Sequence, residues 1–166
     1  AEGIFFRPKT EVMEILDGPA SVVLHLKDGD VLEAANVIVC TNGYARQLFP
    51  DLDVVPARGQ VLKTEPIPGL KLWGTFHYQE GFYYFREHAG GVLLGGGRNL
   101  DFDGETTWAD GTTEVVQNAL ERLLREVIIP GRPFTIAQRW SGIMGMGSSK
   151  TPIVERRSPR VAVAVR

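Results

Sequence analysis

Val37-Ile38-Val39-Cys40-Thr41-Asn42-Gly43-Tyr44 is the stretch on which the fold turns. Its first four residues are apolar at successive positions rather than at alternate ones, the pattern of a short strand covered on both faces. Thr41-Asn42-Gly43 then breaks the strand, and a short helical piece is predicted over residues 45–49, ended by Pro50. A second run of the same kind, Val161-Ala162-Val163-Ala164-Val165, lies at the other end of the chain. Both runs call for helices on either side, yet only one long helix is legible, from 112 to about 127. Val115, Val116, Ala119, Leu120, Leu123, Leu124 and Val127 form its single apolar stripe. The hydroxyl of Thr112 is placed to cap this helix, and Glu114 favours its N-terminus through the helix dipole. One helix cannot cover everything. Either the two runs share a small mixed core, or the missing helices belong to chain outside these residues, and the second reading is preferred. No initiator Met opens the chain and the last apolar run stops without a turn, so the ends read as cut.

Working outward from that stretch, residues 10–16 and 21–26 read as strands, with Asp28-Gly29 as a tight turn into a third strand at 31–34. Residues 59–64, 72–77, 81–86 and 91–98 are short β-type runs separated by Gly, Pro or Gln-Glu punctuation. Residues 134–143 give a further strand, 145–149 a loop, and 161–165 the return to a buried sheet. The fold class predicted is α+β (mixed α/β), an antiparallel sheet with one long helix plus strands of a second domain.

Composition narrows the function. The chain has 166 residues, 43% of them apolar, which is enough for a real core. Eighteen Lys and Arg against 20 Asp and Glu leave a formal charge of −2, with no footprint for nucleic acid or an anionic membrane. The lone Cys40 excludes an intramolecular disulfide and a Cys-based metal site, so no metal is expected and the cytoplasm is the predicted location. Neither a signal sequence nor an uninterrupted apolar stretch of about 18 residues occurs. The expected partner is a small molecule.

The 37–44 stretch, an apolar strand ending in a small residue followed by Gly and an aromatic, resembles a FAD-contacting segment of the D-amino acid oxidase and glycine oxidase superfamily. Further motifs follow in that family's order: Pro56-Ala57-Arg58-Gly59-Gln60; Gly81-Phe82-Tyr83-Tyr84-Phe85-Arg86 with Gly91-Val92-Leu93-Leu94-Gly95-Gly96-Gly97; and Arg139-Trp140-Ser141-Gly142-Ile143 with Thr151-Pro152-Ile153-Val154. The chain is most similar to the γ-glutamylputrescine oxidase-like branch. The resemblance implies a two-domain FAD-dependent oxidoreductase: residues 1–49 as part of the FAD-binding domain, 50–144 as the substrate-binding domain, and 145–166 as the return to the first. It implies FAD as cofactor and oxidation of the C–N bond of an amine or amino acid by hydride transfer to the flavin. It also implies that the Gly-rich dinucleotide-binding motif, absent here, lies upstream, so that residues 1–166 alone are inactive.

The resemblance assigns Cys40, Thr41, Asn42, Gly43 and Tyr44 to the cofactor, and Val12 to the vicinity of the adenine. Among the aromatics at 82–84, strand alternation sends Tyr83 to one face and Phe82 and Tyr84 to the other, so only one set can line a substrate pocket. Tyr83, Tyr84, His77, Trp140 and Met144 are the candidate substrate-binding residues, and no catalytic residue is assigned. Met144 stands where amino-acid oxidases of the family often have an Arg that pairs with the substrate carboxylate. That favours an amine whose charge lies elsewhere, or a carboxylate held by another Arg. Arg58 and Arg86 read as solvated or structural ion-pair partners. The rival reading is a stand-alone α+β module that binds a small ligand or a partner without catalysis. Apolar surface left bare around 37–41 and 161–165 predicts self-association.

Overall fold

The computed structural model describes residues 3–166. Eleven strands follow in chain order: β1 (Val12–Asp17), β2 (Val22–Leu26), β3 (Val31–Ala34), β4 (Val37–Val39), β5 (Val55–Thr64), β6 (Thr75–Tyr78), β7 (Tyr83–His88), β8 (Gly91–Gly96), β9 (Ile136–Met146), β10 (Ile153–Arg156) and β11 (Val161–Val165). The helix α1 (Glu114–Leu123) lies between β8 and β9. The chain divides into two compact units, one ending at Val55 and resumed at Gly145–Arg166, the other Pro56–Met144.

In the first unit β1, β2 and β3 form an antiparallel meander in that order. The β2–β3 turn is the one predicted: Gly29 takes a φ of 92° and the Asp28 carboxylate accepts the Asp30 N–H at 3.1 Å. A second sheet has the order β10-β11-β4, with β11 antiparallel to β10 and parallel to β4. Val39, Val163 and Val165 of that sheet pack with Ala45, Leu52 and Val54 into a core. Bare apolar surface is expected around residues 37–41, and Ile38 supplies it. Val39 is 4% exposed but Ile38, which points the other way beside Ala162, is 68% exposed, because this unit supplies a core on one side of the sheet only. The helical piece after the strand also begins earlier than predicted, as a 3-10 turn over Asn42–Gln47. Asn42 opens it in the left-handed region at φ 45°, a conformation that Asn tolerates better than most residues.

The second unit is a five-stranded sheet of order β6-β7-β8-β5-β9 with α1 on one face. Pairs β6–β7, β7–β8 and β5–β8 are antiparallel. The predicted stripe of α1 buries Val116, Leu120, Leu123 and Leu124 against Leu62, Tyr83, Val92 and Leu94. Each fully buried leucine there contributes about 1.5–3 kcal/mol. The helix is shorter than predicted and passes into a π-type turn at Leu124–Ile128, where the Ile129 N–H reaches back to Leu124 O at 3.0 Å. Its N-cap residue is Thr113 rather than Thr112, and no side chain caps the first turn. The Thr113 hydroxyl is committed elsewhere: it donates to Glu105 at 3.2 Å and accepts from Gln60 at 2.9 Å. Strand β9 runs to Met146, through the start of the predicted 145–149 loop, and β10 is a strand that the sequence reading left out.

Between α1 and the sheet lies a buried polar network. Arg58 grips Glu105 in bidentate fashion, Nε to Oε2 and Nη2 to Oε1, each at 2.9 Å. Gln60 Nε2 donates to the same carboxylate at 2.8 Å, and Gln60 Oε1 accepts from the Thr113 N–H at 3.0 Å and from Gln117 Nε2 at 3.1 Å. Arg139 extends the network to Gln117 and Glu121 of α1. Burial by itself would raise the Glu105 pKa, but the bonds from Arg58, Gln60 and Thr113 outweigh it and hold the carboxyl below its ordinary value. This network fixes which face of β5 and β9 meets the helix, and so which face is left open.

Candidate functional site

In the first unit, the start of β1 and the 3-10 turn after β4 enclose a cavity of about 480 Å³ lined by Thr10, Glu11, Val12, Thr41, Tyr44, Gln47 and Leu48. The strand ends where it does because Thr41-Asn42-Gly43 cannot continue it. The turn that follows carries Tyr44, Gln47 and Leu48 to one side, since residues three and four apart in a helical turn are neighbours. Three of the six residues assigned to a cofactor, Val12, Thr41 and Tyr44, therefore share one cavity. Gly43 is buried within the turn. Asn42 turns its side chain away from the cavity, its Oδ1 accepting the Arg166 N–H at 3.1 Å. Cys40 carries an exposed free thiol and does not line the cavity. Thr10, Glu11, Gln47 and Leu48 were not identified from sequence, although the i, i+3, i+4 spacing from Tyr44 marks the last two.

Apolar Val12 and Leu48, the Tyr44 ring and the polar groups of Thr41, Gln47 and Glu11 give this cavity flat walls for an aromatic base and donors and acceptors for a sugar. That donor set fits the adenosine part of a dinucleotide. The Thr41 hydroxyl makes no capping bond to the turn that it precedes.

In the second unit the sheet face away from α1 gathers most of the other candidates. Cross-strand partners share a face, so His77, Tyr84 and Gly95, opposite one another on β6, β7 and β8, lie together. A Cβ on Gly95 would stand 2.5 Å from the Tyr84 ring, which shows the ring laid across that glycine. On β9, Arg139 reaches toward α1, so its neighbour Trp140, and Met144 at the same parity, project to the open side. Met144 lies across Gly59 of β5, where an added Cβ would meet its Cε at 3.0 Å. The open face is thus floored by glycines and walled by Tyr84, Trp140 and Met144. Burial raises the Tyr84 pKa further above neutrality, and the protonated phenol can donate a hydrogen bond.

Tyr83 is the exception among the substrate candidates. It is 6% exposed and packs in the core under α1, where the alternation of β7 directs it. Tyr84 is thus on the open face and Tyr83 is not.

The sequence matches the family described as FAD dependent oxidoreductase over residues 1–166. No curated protein matches it. Solved structures share the fold. Glycine oxidase from Geobacillus kaustophilus superposes with a TM-score of 0.76 at 20% identity, over 94% of this chain and 42% of that one. L-proline dehydrogenase from P. horikoshii gives 0.71 at 16% identity, over 94% of this chain and 43% of that one. Iminodiacetate oxidase from Chelativorans sp. BNC1 gives 0.68 at 18% identity, over 92% and 42%. The chain therefore spans less than half the length of each of these structures.

Proposed function

The chain belongs to the FAD dependent oxidoreductase family, and on that premise we propose that it is part of a longer flavoenzyme that oxidises the C–N bond of an amine or amino acid. The first unit would be part of the FAD-binding domain and the second unit the substrate domain. The observation that carries the cofactor reading is the cavity joining Val12, Thr41 and Tyr44. Val12 and Leu48 would flank the adenine, and Thr41 and Gln47 would hydrogen-bond the nucleoside. Bound FAD supplies a two-electron acceptor for the hydride on the carbon bearing the amine, and water hydrolyses the resulting imine.

The residues of the open sheet face do the rest. Trp140 and Met144 offer apolar surface that excludes water, and Tyr84 offers a phenol that can hold and orient a polar substrate group. At Met144 there is no cation, so a substrate carboxylate is not received at that position. The order of the Pro56–Gln60, Gly81–Arg86 and Arg139–Ile143 motifs supports a relative of the γ-glutamylputrescine oxidase-like branch. Glycine oxidase and L-proline dehydrogenase among the similar structures are consistent with amine chemistry without choosing the substrate. Among the described residues no helix is long and apolar enough to cross a membrane.

The test is anaerobic reduction of the flavin-loaded protein by a panel of primary amines, secondary amines and α-amino acids. Loss of the oxidised-flavin band with at least one amine is expected. A flavin reduced by none of them but by alcohols or α-hydroxy acids would refute C–N oxidation.

A further inference from the structure

Arg98 is an arginine whose charge the described residues leave without an anion. Arg58 pairs with Glu105, Arg139 with Glu121, Arg157 with Asp51 and Glu155, and Arg166 with Asp53, while the half-buried Arg160 donates to the carbonyls of Ala35 and Pro19. Arg98 is partly buried, and among the described residues its guanidinium has no hydrogen bond or ion pair. It lies over Phe102, 4.7 Å from the ring centroid. Burial lowers its pKa, opposed by the charge of Glu105. Glu105 is near enough to be felt but its oxygens accept from Arg58, Gln60 and Thr113. Asp101, three residues on, is exposed and accepts the Gly104 N–H at 2.9 Å. Two guanidiniums thus face one committed carboxylate.

The backbone places this cation with care. Gly96 and Gly97 have φ of 121° and 80°, and a Cβ on Gly96 would stand 2.0 Å from Phe82 O, so the chain can leave β8 in this direction only with glycine there. The turn brings Phe102 edge-on to Phe82, centroids 6.1 Å apart, and Phe82 lies two residues before Tyr84. The next residue in the turn is also incomplete: Asn99 Oδ1 is buried without a donor. A guanidinium held over a ring face uses none of its N–H groups in that contact, and a free N–H edge matches the two oxygens of a carboxylate.

We propose that Arg98, stacked on Phe102 at the end of the strand pair that carries Tyr84, is the residue that receives a carboxylate of the ligand. This rests on reading the second unit as a substrate domain. It puts the anion-binding role at the end of β8, not on β9 where Met144 stands. A carboxylate is favoured over a phosphate because a single guanidinium with one free edge meets a planar group of one charge.

The test is calorimetric titration of the chain with benzoate, benzamide and inorganic phosphate, for the wild type and for Arg98→Met and Arg98→Lys. Benzoate should bind saturably, benzamide and phosphate more weakly, and the benzoate affinity should fall with rising salt. Arg98→Met should weaken benzoate by about tenfold to a hundredfold, the loss of a charge-assisted pair, and abolish the salt dependence. Arg98→Lys should fall between, keeping the charge without the fork. Unchanged urea midpoints would exclude a folding defect, and should Arg98→Met not fold, Arg98→Lys carries the same comparison. Equal benzoate affinity in wild type and variant, tighter binding of phosphate or benzamide, or no saturation up to ~10 mM would overturn the proposal. FAD binding is read separately by flavin fluorescence, so failure of the cofactor reading and failure of this one are distinct results.

Discussion

Removing Glu105 should cost far more than removing any surface charge of this chain. Glu105 is fully buried and Arg58 is 9% exposed, 47 residues apart in sequence. Glu105→Ala deletes the acceptor for two Arg58 bonds, one from Gln60 and one from Thr113, and leaves two guanidiniums, Arg58 and Arg98, without it. Breaking a buried pair in this way costs about 3–5 kcal/mol, whereas an exposed pair such as Lys27–Glu11 is worth about 0–1 kcal/mol. With a urea slope of about 2 kcal/mol/M, the unfolding midpoint of the second unit should fall by about 2 M. Tryptophan fluorescence and far-UV circular dichroism would read it, with Glu11→Ala as the surface control. Replacing both partners, Arg58→Met with Glu105→Leu, should recover at least half of the loss, because no charge is then left buried. The pH dependence has a defined sign. Glu105 is held below its ordinary 4.5 in the folded chain, so its stabilisation is present above that value and is lost as pH falls through the folded pKa. Glu105→Gln should flatten that acid limb. A Glu105→Ala midpoint within the error of wild type would refute the reasoning.

Gly95→Ala sets a methyl 2.5 Å from the Tyr84 ring; it should cost about 1–3 kcal/mol and change the near-UV circular dichroism of the tyrosines as the ring is displaced. Asp53 is lowered from 3.8 to about 2 by bonds from Ser148 and Arg166. Its contribution is therefore present above 3.8 and lost as pH falls through about 2, and Asp53→Asn should remove that slope from thermal midpoints measured across the interval. Thr41→Val should weaken FAD binding to the flavin-free form of the longer protein by about threefold to tenfold, one hydrogen bond's worth, measured by flavin fluorescence.

The local patterns were legible from sequence because their causes are local. The Asp28-Gly29 turn and the apolar stripe of α1 follow from turn chemistry and periodicity within a few residues. The parity of β7 limited the aromatics to two sets, but which set faces the helix needed the position of α1, which buries Tyr83. Arg58 read as either solvated or a structural ion-pair partner, and its partner was invisible because Glu105 sits in a polar stretch with no periodicity. The same long-range bond explains the misplaced helix cap, since the Thr113 hydroxyl belongs to that network. The unbroken apolar run at 37–40 calls for cover on both faces, and this unit covers one, so Ile38 is the bare apolar surface that the sequence reading expected there. Of the proposed cofactor residues, Val12, Thr41 and Tyr44 converge on one cavity, and the members missed, Gln47 and Leu48, were within reach of helical spacing.

The measurement that bears most directly on the account is anaerobic stopped-flow reduction of the flavin-loaded protein by an amine, with and without deuterium on the carbon bearing the nitrogen. The account predicts that the amine bleaches the flavin and that deuteration slows the bleaching. A longer protein containing this chain that binds no FAD, or whose flavin is reduced at a rate indifferent to deuterium at that carbon with every amine tried, would contradict it.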